Sequence, residues 1–123
     1  MEQKITSYRD LKVWQQGRKL ATDVYVLLST FPRHEQYGLS DQMRRAAVSV
    51  PSNVAEGFGR AGAKEKNQFY YIAKGSLAEL ETQLYIASDV GYIDQTKLDD
   101  ILQQAALTHR LLQGLIKVNK ERI

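Results

Sequence analysis

Apolar residues recur at steps of three and four in four successive stretches of this 123-residue sequence. That period places them along one side of an α-helix, and no stretch alternates apolar and polar residues over the length of a β-strand. The stretches run over about residues 10–30, 40–58, 63–90 and 95–120. The core-facing stripe predicted for the first comprises Leu11, Trp14, Gly17, Ala21, Val24, Tyr25 and Leu28. The stripe predicted for the last has heptad spacing and comprises Leu98, Leu102, Ala105, His109, Leu112 and Ile116. Long helices with short connections predict an all-α fold, an antiparallel up-and-down four-helix bundle, in one domain over residues 1–123.

The second stretch contains a proline. Its apolar period continues across Pro51, so we expect the helix to bend there rather than to end, because proline lacks an N–H and its ring collides with the carbonyl four residues earlier. The sequence therefore predicts a proline-kinked second helix. Ser40 is its expected N-cap, and the Asn53 amide is expected to satisfy carbonyls that Pro51 leaves free.

Three glycines at the end of this stretch have the spacing of a dinucleotide-binding loop. Gly57, Gly59 and Gly62 follow the order G-x-G-x-x-G. Such a loop requires a preceding β-strand and an acidic residue on a second strand, whereas here the preceding segment is helical. We therefore interpret the glycines as conformational freedom for the turn that leaves the second helix.

The third stretch has two apolar stripes. We expect the first to face the bundle, and it comprises Phe69, Ala73, Ser76, Leu77, Leu80, Leu84 and Ala87. The second can face another copy of the chain, and it comprises Ile72, Gly75, Glu79, Ile86 and Val90. The two stripes together favour a homo-oligomer.

The composition excludes several kinds of site. There is no cysteine, which excludes disulfides, thiolate zinc sites and a cysteine nucleophile. The Glu-x-x-His pairs of di-metal bundles are also absent from the sequence. We expect no metal, cofactor or catalytic residue, with His34 exposed in a loop and His109 hydrogen-bonded in the core of the last helix.

Neither a signal peptide nor a membrane span is evident in the sequence. The first residues lack the apolar core of a signal peptide, and no apolar run approaches the roughly 18 residues that cross a bilayer. We therefore expect a cytoplasmic protein that has no membrane partner.

Charge is distributed unevenly along the chain, although the net charge is only +3. Residues 1–74 hold 12 Lys or Arg against 7 Asp or Glu, whereas residues 75–100 hold one Lys against 6 acids. A basic excess attracts polyanions, although ordinary solvated surfaces also carry mixed charge. The candidate nucleic-acid contacts are Arg60, Lys64 and Lys66, beside the amides that open the third helix, with Arg44 and Arg45 on the second.

A polar stripe runs beside the apolar one on the second helix. Ser49, Asn53, Glu56 and Arg60 are spaced at steps of four, three and four, and Glu56 and Arg60 form a favourable i, i+4 pair. We interpret the stripe as a hydrogen-bonded network between packed helices or chains, which Glu79 of the third helix can join. A catalytic role for these carboxylates lacks a nucleophile or metal partner in the sequence.

Three segments carry a family resemblance: DLKVWQQGRKLATDVY, SVPSNVAEGFGR and FYYIAKGSLAELETQLYIASDVGYI. With the N-[IV]-A-E-G pattern at residues 53–57 and A-x-G-S-x-x-E at residues 73–79, they resemble the proteins encoded in intervening sequences of bacterial 23S ribosomal RNA genes. The likeness covers about residues 10–115. Positions that match the family pattern include Asn53, Glu56, Arg60, Ser76 and Glu79.

The resemblance implies a four-helix bundle that assembles as a homo-oligomer, commonly a pentamer. A related branch, the accessory proteins of diversity-generating retroelements, presents basic surfaces to nucleic acid and to a reverse transcriptase. Five copies would multiply the net charge of +3 to +15. We therefore expect a non-enzymatic oligomeric scaffold that binds RNA or DNA, and the alternative is an adaptor that binds proteins only.

Overall fold

Four helices make up most of the molecule, which a computed structural model describes over residues 4–123. They are α1 Lys12–Leu28, α2 Leu39–Phe58, α3 Ala63–Asp89 and α4 Gln95–Lys120, and single 3-10 turns precede α1 and α2 at Tyr8–Asp10 and Arg33–Glu35. Each helix packs on its neighbours in sequence, and α4 also packs on α1. Because short connections join these neighbours, they run antiparallel. The predicted four-helix bundle is confirmed.

The core lies along the bundle axis and is almost entirely aliphatic. Leu20, Met43, Leu77 and Leu84 are fully buried within it. Burial of such side chains is the main term that holds the four helices together, at about 1.5–3 kcal/mol for each. None of the four helices is long and apolar enough to cross a membrane, within the part of the chain that the structure describes.

Pro51 lies within α2, and the helix continues through it as predicted. Its ring is buried against α1 at Gly17, where an added Cβ would lie 3.4 Å from the proline Cβ. The kink itself stays a prediction. The expected role of Asn53 is wrong: its Nδ2 donates to the carbonyl of Ser49 at 2.8 Å, whereas a helical proline frees the carbonyl four residues before it, that of Ala47.

The start of α2 differs from the prediction. The helix begins at Leu39 after Gly38, and Ser40, the expected N-cap, is buried inside the first turn. Instead the carboxylate of Glu35 accepts a hydrogen bond from the Leu39 N–H at 3.1 Å. Glu35 also accepts one from the Tyr92 hydroxyl at 2.6 Å, so one carboxylate joins this helix start to the α3–α4 connection. The Tyr92 bond, followed by the Leu39 N–H, lowers the pKa of Glu35.

The glycines after Pro51 do not act as we expected. Gly59 and Gly62 have φ angles of −77° and −98°, and within residues 4–123 only Gly91 has a positive φ. Gly57 is buried, and a Cβ there would lie 2.7 Å from the Tyr70 ring and 3.0 Å from the carbonyl oxygen of Lys66. Gly57 therefore permits the close approach of α2 and α3, and a flexible exit turn is not the reason for it.

In α4 the buried stripe differs in part from the predicted one. Thr108 is fully buried, and its hydroxyl donates to the Gln104 carbonyl at 2.8 Å. His109, expected in the core, lies at the margin and pairs with the side chain of Gln113 at 3.1 Å. The heptad interpretation is correct at four of its six positions. It is wrong at His109, because a threonine whose hydroxyl is satisfied within its own helix occupies a core position as an aliphatic residue does.

A buried asparagine pair between α3 and α4 was not predicted. Asn119 Nδ2 donates to the Asn67 Oδ1 at 2.9 Å and to the Ala63 carbonyl at 2.7 Å. Asn67 in turn donates to the carbonyl of Ile116 at 3.4 Å. The two carbonyls, at the start of α3 and near the end of α4, thus satisfy the buried side-chain amides of the pair. Neither residue stands out in the sequence, because asparagine is usually exposed.

Candidate nucleic-acid interface

The antiparallel topology separates charge between the two ends of the bundle. The starts of α1 and α3 lie at the same end as the last turns of α2 and α4. There, residues 4–12, 56–70 and 115–123 hold nine Lys or Arg against four Asp or Glu, and we call this the basic end. At the opposite, acidic end, residues 26–45 and 81–100 hold four Lys or Arg against seven Asp or Glu.

Arg60, at the basic end, is already engaged by neighbouring side chains. Its guanidinium lies 3.1 Å from Glu56 and 3.6 Å from Glu65, and it stacks on the Phe69 ring at 4.6 Å. The predicted Glu56–Arg60 pair is therefore present. Two carboxylates offset the single charge, which makes Arg60 a weaker phosphate contact than the sequence suggests.

Lys66 and Lys64 have different surroundings. Lys66 donates to the carbonyl of Phe58 at 2.5 Å and lies over the Phe58 ring, so it completes the C-terminus of α2. Burial, and then the nearby Arg122 charge, lowers the pKa of Lys66. Lys64 is exposed in the first turn of α3 and makes no ion pair with the described residues. Of the two, Lys64 is the better placed to meet a phosphate.

Arg44 and Arg45 lie roughly 20 Å along α2 from the basic end. Both contact Asp41, at 3.7 and 3.0 Å, and Arg44 also donates to the carbonyl of Gln36. One carboxylate is shared between two guanidiniums, so this corner keeps a net positive charge. The five predicted nucleic-acid contacts therefore do not form one patch.

The predicted polar network is divided into separate parts. Ser49 and Ser76 link α2 to α3 through their hydroxyls at 2.8 Å, and Asn53 donates to Ser49. Glu79 does not join them: it is exposed and accepts a bond from Gln83 at 3.3 Å. The side-chain oxygen of Gln83, Oε1, is buried without a hydrogen bond to any described residue. The hydroxyl pair is the part of this network that joins two helices.

An open groove between α1 and α2 was not anticipated. It has a volume of about 670 Å³, and its lining includes Tyr8, Trp14, Arg18, Tyr25 and Pro51. The sequence pattern placed Trp14 and Tyr25 on the core stripe of α1, whereas Trp14 is half-buried and Tyr25 is 50% exposed at the rim. An aromatic residue at the margin of an amphipathic stripe is the sequence signal that could have indicated it.

No cluster of three or more potential metal-ligating side chains occurs among residues 4–123. The second apolar stripe of α3 lies at the surface as predicted, with Ile72, Ile86 and Val90 each about half exposed. A Cβ at Gly75, in the same stripe, would touch nothing within 4 Å. The isolated chain thus leaves an apolar helix face in contact with solvent.

Comparison with known proteins identifies the family. A crystal structure of a protein of unknown function from the S23 ribosomal protein family of Bacteroides thetaiotaomicron is similar, with a TM-score of 0.77 and 20% identity, over 85% of this chain and 98% of that one. At that identity the likeness shows the fold alone. None of the functionally curated proteins matches the sequence. The family model described as 23S rRNA-intervening sequence protein matches residues 9–114. The chain therefore belongs to the 23S rRNA-intervening sequence protein family.

Proposed function

We propose that this protein is a non-enzymatic, cytoplasmic homo-oligomer that acts as a helical scaffold and binds RNA or DNA through its basic surfaces. The observation that carries the proposal is the basic end, where nine cationic side chains meet four anionic ones. Phosphate backbones are recognised first by such clusters of positive charge. In the sequence these residues are scattered over three segments, and the antiparallel bundle brings them together.

The oligomer part of the proposal rests on α3. Three apolar side chains of its second stripe, Ile72, Ile86 and Val90, are about half exposed, and Gly75 leaves room for another backbone to approach. An exposed apolar stripe of this kind is typical of a surface that a partner covers. We propose that further copies of the chain cover it, and that their number is five, as the family resemblance implies.

Binding is tested by titrating short RNA and DNA strands at several salt concentrations. The logarithm of the affinity is expected to fall linearly with the logarithm of the salt concentration. The slope is about −0.7 for each contacted phosphate of a single strand and about −0.9 for each one of B-DNA. Lys64→Gln is expected to weaken binding to all sequences and to reduce that slope by about one. Lys97→Gln is the matched control, since Lys97 is also exposed in the first turn of a helix but lies at the acidic end. An affinity that does not change with salt contradicts the proposal.

Assembly is tested by measuring mass in solution. Ile86→Lys, at a half-exposed position of the α3 stripe, is expected to dissociate the oligomer without unfolding the chain. Val26→Lys on α1 is the control, because Val26 is 66% exposed and lies outside that stripe. A wild-type monomer would remove this part of the proposal.

The second candidate function is an adaptor that binds proteins only. Its partner would be a reverse transcriptase or another protein. The exposed apolar stripe of α3 is the observation that favours it. It becomes the better explanation if the oligomer retains neither RNA nor DNA at physiological salt.

A further inference from the structure

Three adjoining depressions form one continuous groove along α1 and α2. The central depression is the aromatic one described above, and it shares Tyr25 and Val48 with a second that contains Arg44 and Arg45. At the other side it shares Tyr8 with a third that contains Arg60. Between Asp41 and Glu56 on α2 the groove extends about 22 Å. It therefore connects Arg44 and Arg45 with Arg60, which the sequence had singled out separately.

The walls of the groove carry rings beside cations. The Arg18 guanidinium lies 5.6 Å from the centre of the Trp14 ring, and Tyr8 packs edge-on against the same ring at 5.2 Å. Tyr25 is half exposed and stands where the aromatic and arginine-containing depressions meet. Alternating aromatic faces and guanidiniums are typical of proteins that stack the bases of a single strand and hold its phosphates.

The charge of the lining agrees with an anionic occupant. Two carboxylates, Asp41 and Glu56, face four guanidiniums, which leaves a net charge of +2; the four are Arg18, Arg44, Arg45 and Arg60. An isologous contact with a second copy would place two such grooves together and oppose like charges. Most carboxylates of the acidic end belong to residues 81–100, in α3, α4 and their connection, and so lie outside the groove.

We propose that this groove binds single-stranded nucleic acid, with bases stacked on Tyr25 and Trp14 and phosphates held by Arg18, Arg44 and Arg45. The inference rests on the proposed function, to which it adds a strand type and a site apart from the basic end. A duplex is a poorer occupant, because its bases already stack on one another and do not offer their faces to side chains. Glu56 and Glu65 leave Arg60 little charge to contribute, so we place the phosphate contacts in the other two depressions.

The groove contains the reporter for its own test, because Trp14 is the one tryptophan in the sequence. Wild-type protein is titrated with oligouridylate, oligothymidylate and a duplex of equal length, while Trp14 emission and retention of labelled strand are measured together. We expect either single strand to quench the emission in parallel with retention, and the duplex to leave it unchanged. The two single strands also distinguish RNA from DNA as the preferred ligand.

Tyr25→Leu tests the stacking directly. A stacked base contributes about 1–3 kcal/mol, which corresponds to a loss of affinity of about five- to 150-fold. Tyr85→Leu is the control, since Tyr85 is 53% exposed on α3, close to the 50% of Tyr25, and lies outside the groove. Tyr25→Phe is expected to bind as the wild type does, because the ring face is kept.

The possible results separate this inference from the function on which it rests. Retention of the strand without quenching of Trp14, or equal losses for Tyr25→Leu and Tyr85→Leu, overturns the groove and leaves nucleic-acid binding at the basic end. Equal quenching by the duplex overturns the strand preference. If no strand is retained, both the groove inference and the proposed nucleic-acid binding are overturned. A shift of Trp14 emission on dilution, with no effect of added strand, identifies a second copy as the occupant and overturns the inference.

Discussion

Replacing Gly57 by alanine tests the close approach of α2 and α3. The new Cβ would lie 2.7 Å from Cε1 of Tyr70, 3.0 Å from the Lys66 carbonyl oxygen and 3.0 Å from the Cβ of Phe69. Real Cβ contacts under 3.0 Å are essentially never seen, so Tyr70 must move, and it is only 2% exposed. The carbonyl belongs to the backbone of α3 and cannot move by a change of rotamer. Relief therefore requires the two helices to separate.

Two opposing terms set the size of the effect. Alanine stabilises a helix interior by about 1 kcal/mol relative to glycine. Forcing a methyl group into a packed site costs about 1–3 kcal/mol, and the contact with immobile backbone places Gly57 toward the upper end. We expect Gly57→Ala to lower the free energy of unfolding by about 1–2 kcal/mol, which for a chain of this length lowers Tm by roughly 3–10 °C.

The assay is urea unfolding followed by far-UV circular dichroism at a fixed protein concentration, because an oligomer's stability depends on concentration. Gly114→Ala in α4 is the matched control: an added Cβ there meets nothing within 4 Å, so a gain of up to about 1 kcal/mol is expected. If Gly57→Ala is as stable as the wild type, the helices are free to separate and close packing is not the reason for this glycine.

Four further substitutions address polar groups. Asn119→Ala is expected to destabilise by about 1–3 kcal/mol in urea unfolding, since Asn67 and a backbone carbonyl lose their donor, and an unchanged midpoint would contradict this. Gln83→Met is expected to stabilise by about 1 kcal/mol by the same assay, because its buried Oε1 has no partner among the described residues, and a loss would contradict it. The pKa of Glu35 in the folded protein lies below its ordinary value of 4.5. The ionised carboxylate therefore stabilises the fold fully above pH 4.5, and this stabilisation is lost as the pH falls through the folded pKa. Glu35→Gln should thus lower Tm at neutral pH but not at strongly acidic pH, with Tyr92→Phe showing part of the same effect, and a pH-independent difference would refute the assignment.

Periodicity predicted the four helices well, since their observed ends lie within two residues of the predicted ones. The apolar periodicity of a helical face is a property of each segment alone, so it can be read before any contact is known. The continuation of α2 through Pro51 followed from the same pattern. The α4 stripe was wrong at His109 because a pattern of residue types did not indicate that the neighbouring Thr108 is the buried one of the two.

The misjudged residues depend on contacts between helices. A glycine in a sequence indicates a flexible backbone as readily as close packing of helices. Only the position of Tyr70 shows that Gly57 is there for close packing. The start of α2 is satisfied by Glu35, which comes from before the helix, while a local motif favoured Ser40. Such partners are chosen by the tertiary structure, which a local sequence pattern does not contain.

The sequence named candidate residues for the site but did not indicate their arrangement. Of the five basic residues, Arg44 and Lys66 are partly buried and the other three are exposed. The sequence could not show that Lys66 would complete a helix end. Nor could it show that Trp14 and Tyr25 would leave the core for the rim of a groove. A helical wheel gives the direction of a side chain, whereas its burial depends on how closely the neighbouring helix approaches.

The separation of charge between the two ends makes each molecule an electric dipole along the bundle axis. A dipole aligns with a charged surface, so we expect an anionic matrix to hold every copy with the same end down. It also draws the basic end of one molecule to the acidic end of the next, and head-to-tail contacts whose rotation does not close a ring build open chains. Since the Debye length is about 30 Å at 0.01 M salt and 10 Å at 0.1 M, dilute buffer should favour linear chains of molecules that physiological salt disperses.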